Sequence, residues 1–250
     1  MAHVFAVANQ KGGVAKTTTV HALGTAFAER GRRVLLVDLD PQACLTFSAG
    51  IDPDALKRSL YDVIVDRMPA AEVVVEAGAL HLAPATIDLA GAEVHLLSRA
   101  GREYALAKAL EPLQRDYDIV LIDCPPSLGI LTLNGLTAAN DVLIPLQCET
   151  LSERGVRQLL DTIADVRDYT NPQLRVRGVI ATMFDGRTRL SRDVLASMRE
   201  RSGLDVLEPP VPKSVRVAEA PMRGRSVLEH AGSSASADAY RELAVSLDRP

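Results

Sequence analysis

Lysine is scarce in this 250-residue chain: five occur, Lys11, Lys16, Lys57, Lys108 and Lys213, and every other basic residue is arginine. Cysteine is scarcer still. Cys44, Cys124 and Cys148 are odd in number and lack metal-ligand spacing, which excludes a disulfide framework and a zinc ribbon and leaves buried thiols in a reducing compartment. No apolar run approaches the length of a membrane span, so a spanning helix is excluded. The opening Met1-Ala2-His3-Val4-Phe5-Ala6-Val7 runs straight into a strand pattern with no secretory-leader signature, and a cytosolic location is expected. A basic excess is missing too: the formal net charge is -4 with a pI near 5.8, which argues against a general nucleic-acid coat. There is no internal repeat. Low-complexity sequence is confined to Gly232-Ser233-Ser234-Ala235-Ser236, short enough to be the loop and cap before a last helix.

Two of the five lysines stand in one eleven-residue stretch, Asn9-Gln10-Lys11-Gly12-Gly13-Val14-Ala15-Lys16-Thr17-Thr18-Thr19, between an apolar run and a helical pattern. Loops of this kind cradle phosphate: backbone N–H groups converge on the oxygens, the next helix presents its positive end, and an ammonium and a hydroxyl complete the site. The match to G-x-x-x-x-G-K-[ST] is partial, with Gln10 in place of the first glycine and Ala15 in place of the second. If the backbone at Ala15 needs positive φ, its methyl costs on the order of 1 to 2 kcal/mol; if φ is helical, the change is nearly neutral.

Two apolar runs end in acids. Val34-Leu35-Leu36-Val37 leads into Asp38-Leu39-Asp40-Pro41-Gln42, and Ile119-Val120-Leu121-Ile122 leads into Asp123-Cys124-Pro125-Pro126. Both read as buried parallel strands with carboxylates at the end where open α/β sheets place their chemistry. Taken alone, Asp38 and Asp40 read equally well as a strand-end turn with an N-cap.

Strand patterns at residues 3–8, 33–38, 79–83, 117–123, 141–147, 176–183 and 205–208 alternate with helical ones. The helices are expected at 17–30, 59–67, 89–97, 103–113, 128–139, 152–169, 192–201 and 235–247. Such alternation implies right-handed crossovers and a mostly parallel, twisted sheet with helices on both faces. The length and the 47% hydrophobic content suit one large α/β domain over residues 1–250.

Charge is unevenly spread. Residues 185–225 carry nine arginines and lysines against six acids, a local excess of +3 in an acidic protein. The plain reading is a solvated face.

With its early lysine, Lys11-Gly-Gly-x-x-Lys16-Thr17 resembles the deviant phosphate loop of the ParA/MinD family of P-loop ATPases. The Asp38–Gln42 and Asp123–Pro126 segments resemble that family's next two motifs, and the likeness runs from Val4 to about Leu247. Within the family the chain is most similar to chromosomal ParA (Soj) proteins, having no extra N-terminal DNA-binding segment. The resemblance implies a weak Mg²⁺-dependent ATPase. Lys11, Gly12, Gly13, Val14, Ala15, Lys16, Thr17 and Thr18 would bind the phosphates, and Met183, Pro212, Lys213 and Ser214 would border the base. Thr17 and, through a water, Asp123 would hold Mg²⁺. Lys11, reaching the partner subunit's nucleotide, Lys16 and Asp40, which positions the attacking water, would be catalytic. Ala43 stands where the family usually has glycine.

The segments Thr182–Thr188 and Pro212–Pro221 also resemble family segments, and Arg187 and Arg216 match arginines implicated in non-specific DNA binding. Arg189, Lys213, Arg223 and Arg225 flank them. Phosphate contacts of this kind need no base-reading residues. The implied partners are double-stranded DNA, a ParB-type protein and, with ATP, a second copy. The implied location is the nucleoid. Helix 128–139, with Asn134-Gly135-Leu136, and residues 147–155 are candidate dimer or partner surfaces, or else a buried helix and its loop. Two alternatives stand beside partition: an orphan nucleotide-dependent scaffold with little turnover or DNA affinity, and a MinD-like membrane switch. The second needs a basic amphipathic C-terminal helix, whereas the tail from Ala239 to Pro250 is modestly apolar, not basic, and reads as a docked helix. The paired cysteines of iron–sulfur relatives are absent.

Overall fold

The apolar runs at residues 3–7, 34–38, 119–123 and 141–147 become strands covered on both faces, and the motifs gather at the carboxyl edge of the resulting sheet. The computed structural model describes residues 1–148, 152–189, 191, 193–196 and 203–248. Its strands are β1 (His3–Val7), β2 (Val34–Asp38), β3 (Val75–Ala77), β4 (Leu80–Ala83), β5 (Ile119–Asp123), β6 (Asp141–Gln147), β7 (Arg175–Thr182) and β8 (Val206–Leu207). They hydrogen-bond in the order β3-β4-β2-β5-β1-β6-β7-β8. All pairings are parallel except β3 with β4.

The first helix, α1 (Lys16–Glu29), lies on one face, buried from Thr19 to Phe27 and open to solvent at Thr17 and Thr18 in its first turn and at its last turn. Leu23 and Phe27 on α1 are fully buried against Phe5, Leu36 and Leu121 of the sheet. Gly24 permits this close seating: a Cβ there would stand 2.7 Å from a Leu36 methyl. The C-terminal helix, Ala235–Leu247, packs on α1 through Tyr240, Leu243, Ala244 and Leu247, and the Tyr240 hydroxyl is 3.1 Å from Thr19 Oγ1. The terminal helix is therefore docked, as its composition suggests. The short α2 (Cys44–Ser48) lies beside α1, its Leu45 buried in the same cluster, and on the other face α3 (Leu60–Ile64), α4 (Leu89–Leu97), α5 (Ala105–Leu110), α6 (Ile130–Ala138) and α7 (Ser152–Tyr169) follow in chain order and cover a second cluster built around Leu35, Val37, Val120 and Ile122.

The mostly parallel α/β architecture expected from the alternation is observed, and three helices, 89–97, 152–169 and 235–247, keep their expected limits. Differences fall where tertiary contacts or single residues outweigh the pattern. The short antiparallel strand β3 is reversed onto β4 by Gly78, whose φ of 63° closes the turn. The helix expected over 103–113 is reduced to Ala105–Leu110 between two 3₁₀ turns, and Pro112, lacking an N–H, sits in the second. The helix expected at 192–201 lies largely outside the described residues. Of the thiols, Cys124 and Cys148 are buried, but Cys44 is exposed, because α2 turns its first residue outward.

Candidate functional site

The loop after β1 is tied to the sheet at two points and braced once within itself. Asn9, buried, donates from Nδ2 to the Pro145 carbonyl (2.7 Å) while its Oδ1 accepts from the Lys11 N–H (2.9 Å), and Thr182 Oγ1 donates to the Val14 carbonyl (3.0 Å). The loop is thereby fixed to the ends of β6 and β7. Gly13 takes φ 72°, a left-handed value that suits glycine, and a Cβ at either Gly12 or Gly13 would meet nothing within 4 Å, so the loop is open to solvent at both glycines. Ala15, the residue before α1, has φ 67° and ψ 34°, and Ala43, in the same place before α2, has φ 51° and ψ 32°. Both alanines thus occupy left-handed positions where glycine costs nothing, and the strain weighed for Ala15 is real.

Lys16 is almost fully covered and its Nζ donates to the Lys11 carbonyl (3.3 Å). Burial pulls its pKa down, opposed by the negative charge of Asp123 and then of Asp40. Thr17 Oγ1 donates to Asp123 Oδ2 at 2.6 Å. The other oxygen, Asp123 Oδ1, is buried and has no hydrogen-bond partner among the described residues. Such an orphan acceptor beside a threonine hydroxyl fits a metal-bound water, so Thr17 and Asp123 suit Mg²⁺, which takes few protein oxygens and keeps several waters.

The sheet register places Asp38 directly beside Asp123. Asp38 is fully buried, and its Oδ2 accepts from the Thr46 N–H (2.8 Å) and Oγ1 (2.7 Å), while Thr46 Oγ1 accepts from the Ala85 N–H (3.0 Å). Burial raises the Asp38 pKa to about 6 despite those bonds, and burial with the Asp38 charge pushes Asp123 well above the usual carboxylate range. Among the described residues, Lys16 is the cation that draws Asp123 back down. Two adjoining buried carboxylates with one lysine make a pocket that favours a further positive charge. Asp40 is half-exposed: its N–H donates to Asp38 Oδ1 (3.3 Å), and its Oδ1 accepts from the Gln42 N–H (3.0 Å), the strand-end turn read from sequence. The negative charge of Asp40 is among the influences that raise the Lys16 pKa against burial.

The later segments come to the same edge. Phe184 pairs with Pro212 as an isolated parallel bridge, with Phe184 N–H to Val211 carbonyl at 2.9 Å and Lys213 N–H to Phe184 carbonyl at 3.3 Å. Met183, Pro212, Lys213 and Ser214 therefore meet there, and Thr182 links them to the phosphate loop. Met183 has φ 48°. Arg187, Arg189, Arg216, Arg223 and Arg225 are all exposed, on the stretches that follow the two residues of this bridge. Arg216 lies on α8 (Val215–Glu219), 3.8 Å from Glu219. Arg192, Arg199 and Arg201, counted in the basic excess, lie outside the described residues.

On helix 128–139 the triplet singled out in the sequence faces inward. Asn134, Gly135 and Leu136 are buried: Asn134 caps the start of α5 by accepting from the Leu106 N–H (3.0 Å) and donates to the Arg102 carbonyl (2.9 Å), and a Cβ on Gly135 would stand 2.8 Å from Cys124 Sγ. Helix α6 is structural along that face. Of residues 147–155, positions 149–151 lie outside the described residues. Sequence reasoning assigned no role to Asn9, Thr46 or Thr182. Asn9 stood in the quoted loop, but nothing local marks Thr46 as the partner of a carboxylate eight residues earlier.

A family model described as an AAA domain matches residues 2–176. The sporulation initiation inhibitor protein Soj of Bacillus subtilis is 41% identical over 246 residues, covering 98% of this chain and 97% of that protein. The chromosome partitioning protein ParA of Caulobacter vibrioides is 45% identical over 245 residues, covering 96% and 92%. Among solved structures, the cobyrinic acid a,c-diamide synthase from Mycobacterium smegmatis with a bound ATP analog and magnesium superposes with a TM-score of 0.89 at 54% identity, covering 99% of this chain and 94% of that one.

Proposed function

Because the chain belongs to the ParA/MinD family of P-loop ATPases, we propose that it is a partition switch: a single ATPase domain, residues 1–250, that binds Mg²⁺ and ATP, dimerises, holds DNA non-specifically, and lets go on hydrolysis. The observation that carries this reading is the convergence on three adjacent strands of the two-lysine loop, the Asp38–Asp40 turn and the half-orphaned Asp123.

Lys16 and the amides of residues 12–18 hold the β and γ phosphates. Thr17 and Asp123 would hold Mg²⁺, which supplies charge neutralisation at those phosphates. Asp40 orients the water that attacks the γ-phosphorus, and Met183, Pro212, Lys213 and Ser214 border the base. Lys11 serves the nucleotide of the partner subunit, cancelling phosphate repulsion at the dimer interface and stabilising the transferring group, as a finger residue does in trans.

The DNA face is formed by Arg187 and Arg216, with Arg189, Lys213, Arg223 and Arg225 around them. All are exposed, and pairing two copies multiplies their weak individual attraction for phosphate. A ParB-type protein is the partner that stimulates turnover, and the nucleoid is the location. No helix among the described residues is long and apolar enough to cross a membrane.

The test is a DNA mobility shift with ATP and Mg²⁺ at low salt. Binding is expected to need ATP, to weaken steeply with salt, and to be lost in Arg216→Ala. Wild-type protein that ignores DNA under those conditions refutes the DNA role in favour of an orphan positioning scaffold, and ATP-dependent sedimentation with anionic liposomes favours a membrane switch. The name of the M. smegmatis neighbour favours a second reading, ATP-dependent amide formation. ATP turnover that requires ammonia or glutamine together with a carboxylate acceptor would establish it.

A further inference from the structure

Away from the phosphate loop, the end of α3, the turn after α4, helix α5 and the 3₁₀ turn that follows it enclose a groove of about 450 Å³. Its floor is apolar and built from small or flexible groups, among them Val63, Met68, Ala70, Ala105, Ala109 and Leu113. Its rim carries Arg67, Arg99 and Lys108, and no carboxylate lines it. In a protein of net charge -4 this is a local concentration of one sign.

The rim cations are not absorbed by neighbours. Among the described residues some arginines are held in ion pairs, as Arg33 is with Asp118, Arg58 with Glu72, Arg175 with Asp141 and Arg241 with Glu29, while others, such as Arg115, Arg187 and Arg223, are not, and the rim cations belong to the second group. Arg67 and Lys108 make none, and Arg99 gives one N–H to the Ile64 carbonyl at 2.7 Å, which holds its guanidinium at the groove edge. Arg67 has φ 61°, in the turn closed by the Met68 N–H on the Asp62 carbonyl. Glycine would be at ease at that left-handed position just past a helix, and a long cation there is a strained choice that folding alone does not explain.

We propose that this groove docks an acidic amphipathic helix from a partner protein. Small floor residues let a helix ridge approach closely, the volume falls in the range of roughly 300 to 1,000 Å³ typical of binding clefts, and three cations match acidic flanks on the incoming helix. The site is independent of the nucleotide-driven reading above, because it shares no residue with it.

The probe is a fluorescein-labelled synthetic helix of roughly five turns, with leucine at i, i+3, i+4 and i+7 and glutamate on both flanks. Its control carries lysine in place of each glutamate. Fluorescence anisotropy should show the acidic helix binding the full-length protein at least about tenfold more tightly than the control, with affinity falling as salt rises. Arg67→Gly with Lys108→Ala should weaken binding about tenfold. The double variant should melt at the same temperature as wild type or higher, since glycine removes the left-handed strain at position 67 and alanine suits the exposed helical position of Lys108, so that loss of binding is not loss of fold. Equal binding of both helices, no binding of the acidic one, or unchanged binding by the double variant overturns the proposal. So does salt-sensitive self-association of the protein that the double variant abolishes, which would make the occupant a second copy.

Discussion

Replacing Ala15 by glycine should make the protein more stable, although it removes a methyl group from a helix boundary. Ala15 is held at φ 67°, ψ 34°, where an L-residue with a Cβ is strained by roughly 1 to 2 kcal/mol, and glycine removes that strain. Against it stands the extra freedom that glycine gains in the unfolded chain, about 0.5 to 1 kcal/mol. The difference is a net stabilisation of about 0.5 to 1 kcal/mol. For a chain of this length that corresponds to roughly 1 to 4 °C in the melting midpoint. Ala43→Gly, at φ 51°, should act alike, and the double variant should gain about 1 to 2 kcal/mol if the two sites are independent. Denaturant unfolding of the nucleotide-free protein at fixed pH measures the gain, with Ala28→Gly, inside α1 at ordinary helical geometry, as the control that should lose stability. The same Ala15→Gly variant should bind Mg²⁺ and ATP at least as tightly as wild type, because the loop is relaxed and no charged group is touched. A clear destabilisation by Ala15→Gly, comparable with the Ala28→Gly control, would show that the Ala15 backbone is not left-handed and would remove the basis for reading both alanines as strained.

Thr46→Val keeps the shape of the side chain but takes a hydroxyl from buried Asp38 and an acceptor from the Ala85 N–H, and should cost about 3 kcal/mol in urea unfolding. Asp38 binds its proton more tightly in the folded state, with its pKa raised from 3.8 to about 6, so its contribution is full below about pH 4 and is lost as pH rises through 6. A shift of that size amounts to roughly 3 kcal/mol, and Asp38→Asn should flatten this part of the stability profile. His21 works in the opposite sense: burial lowers its pKa from 6.5 to about 4, so its contribution is full above pH 6.5 and is lost as pH falls through 4. His21→Gln should therefore reduce acid destabilisation between those limits by up to about 3 kcal/mol, read from urea midpoints across the range. Thr17→Ala frees Asp123 Oδ2 and removes one prospective metal oxygen, so Mg²⁺-dependent ATP turnover should fall by about two orders of magnitude while the melting midpoint changes by only a few degrees.

Much of the site was legible because its parts are local. A strand's apolar run, the acid that ends it, and a loop with two lysines and two glycines are contiguous in sequence, and each has a mechanical reason to sit where it does. So are the long helices, whose limits follow from periodicity and caps: Ser234 accepts from the Ala237 N–H at the start of the last one, as its place in the sequence suggests. What local pattern fixes about this chain is therefore its alternation of strands and helices and the chemical groups offered at strand ends. Tertiary structure alone decided which ends are neighbours. The order β2-β5-β1 sets Asp38 against Asp123, and their mutual burial is what lifts both pKa values. It also decided that Asn134 caps a neighbouring helix instead of facing a partner, and that Ala15 and Ala43 are left-handed, since φ at a helix entry is set by where the incoming strand and outgoing helix must lie. Burial, register and backbone sign are properties of residues distant along the chain, and no window of sequence contains them.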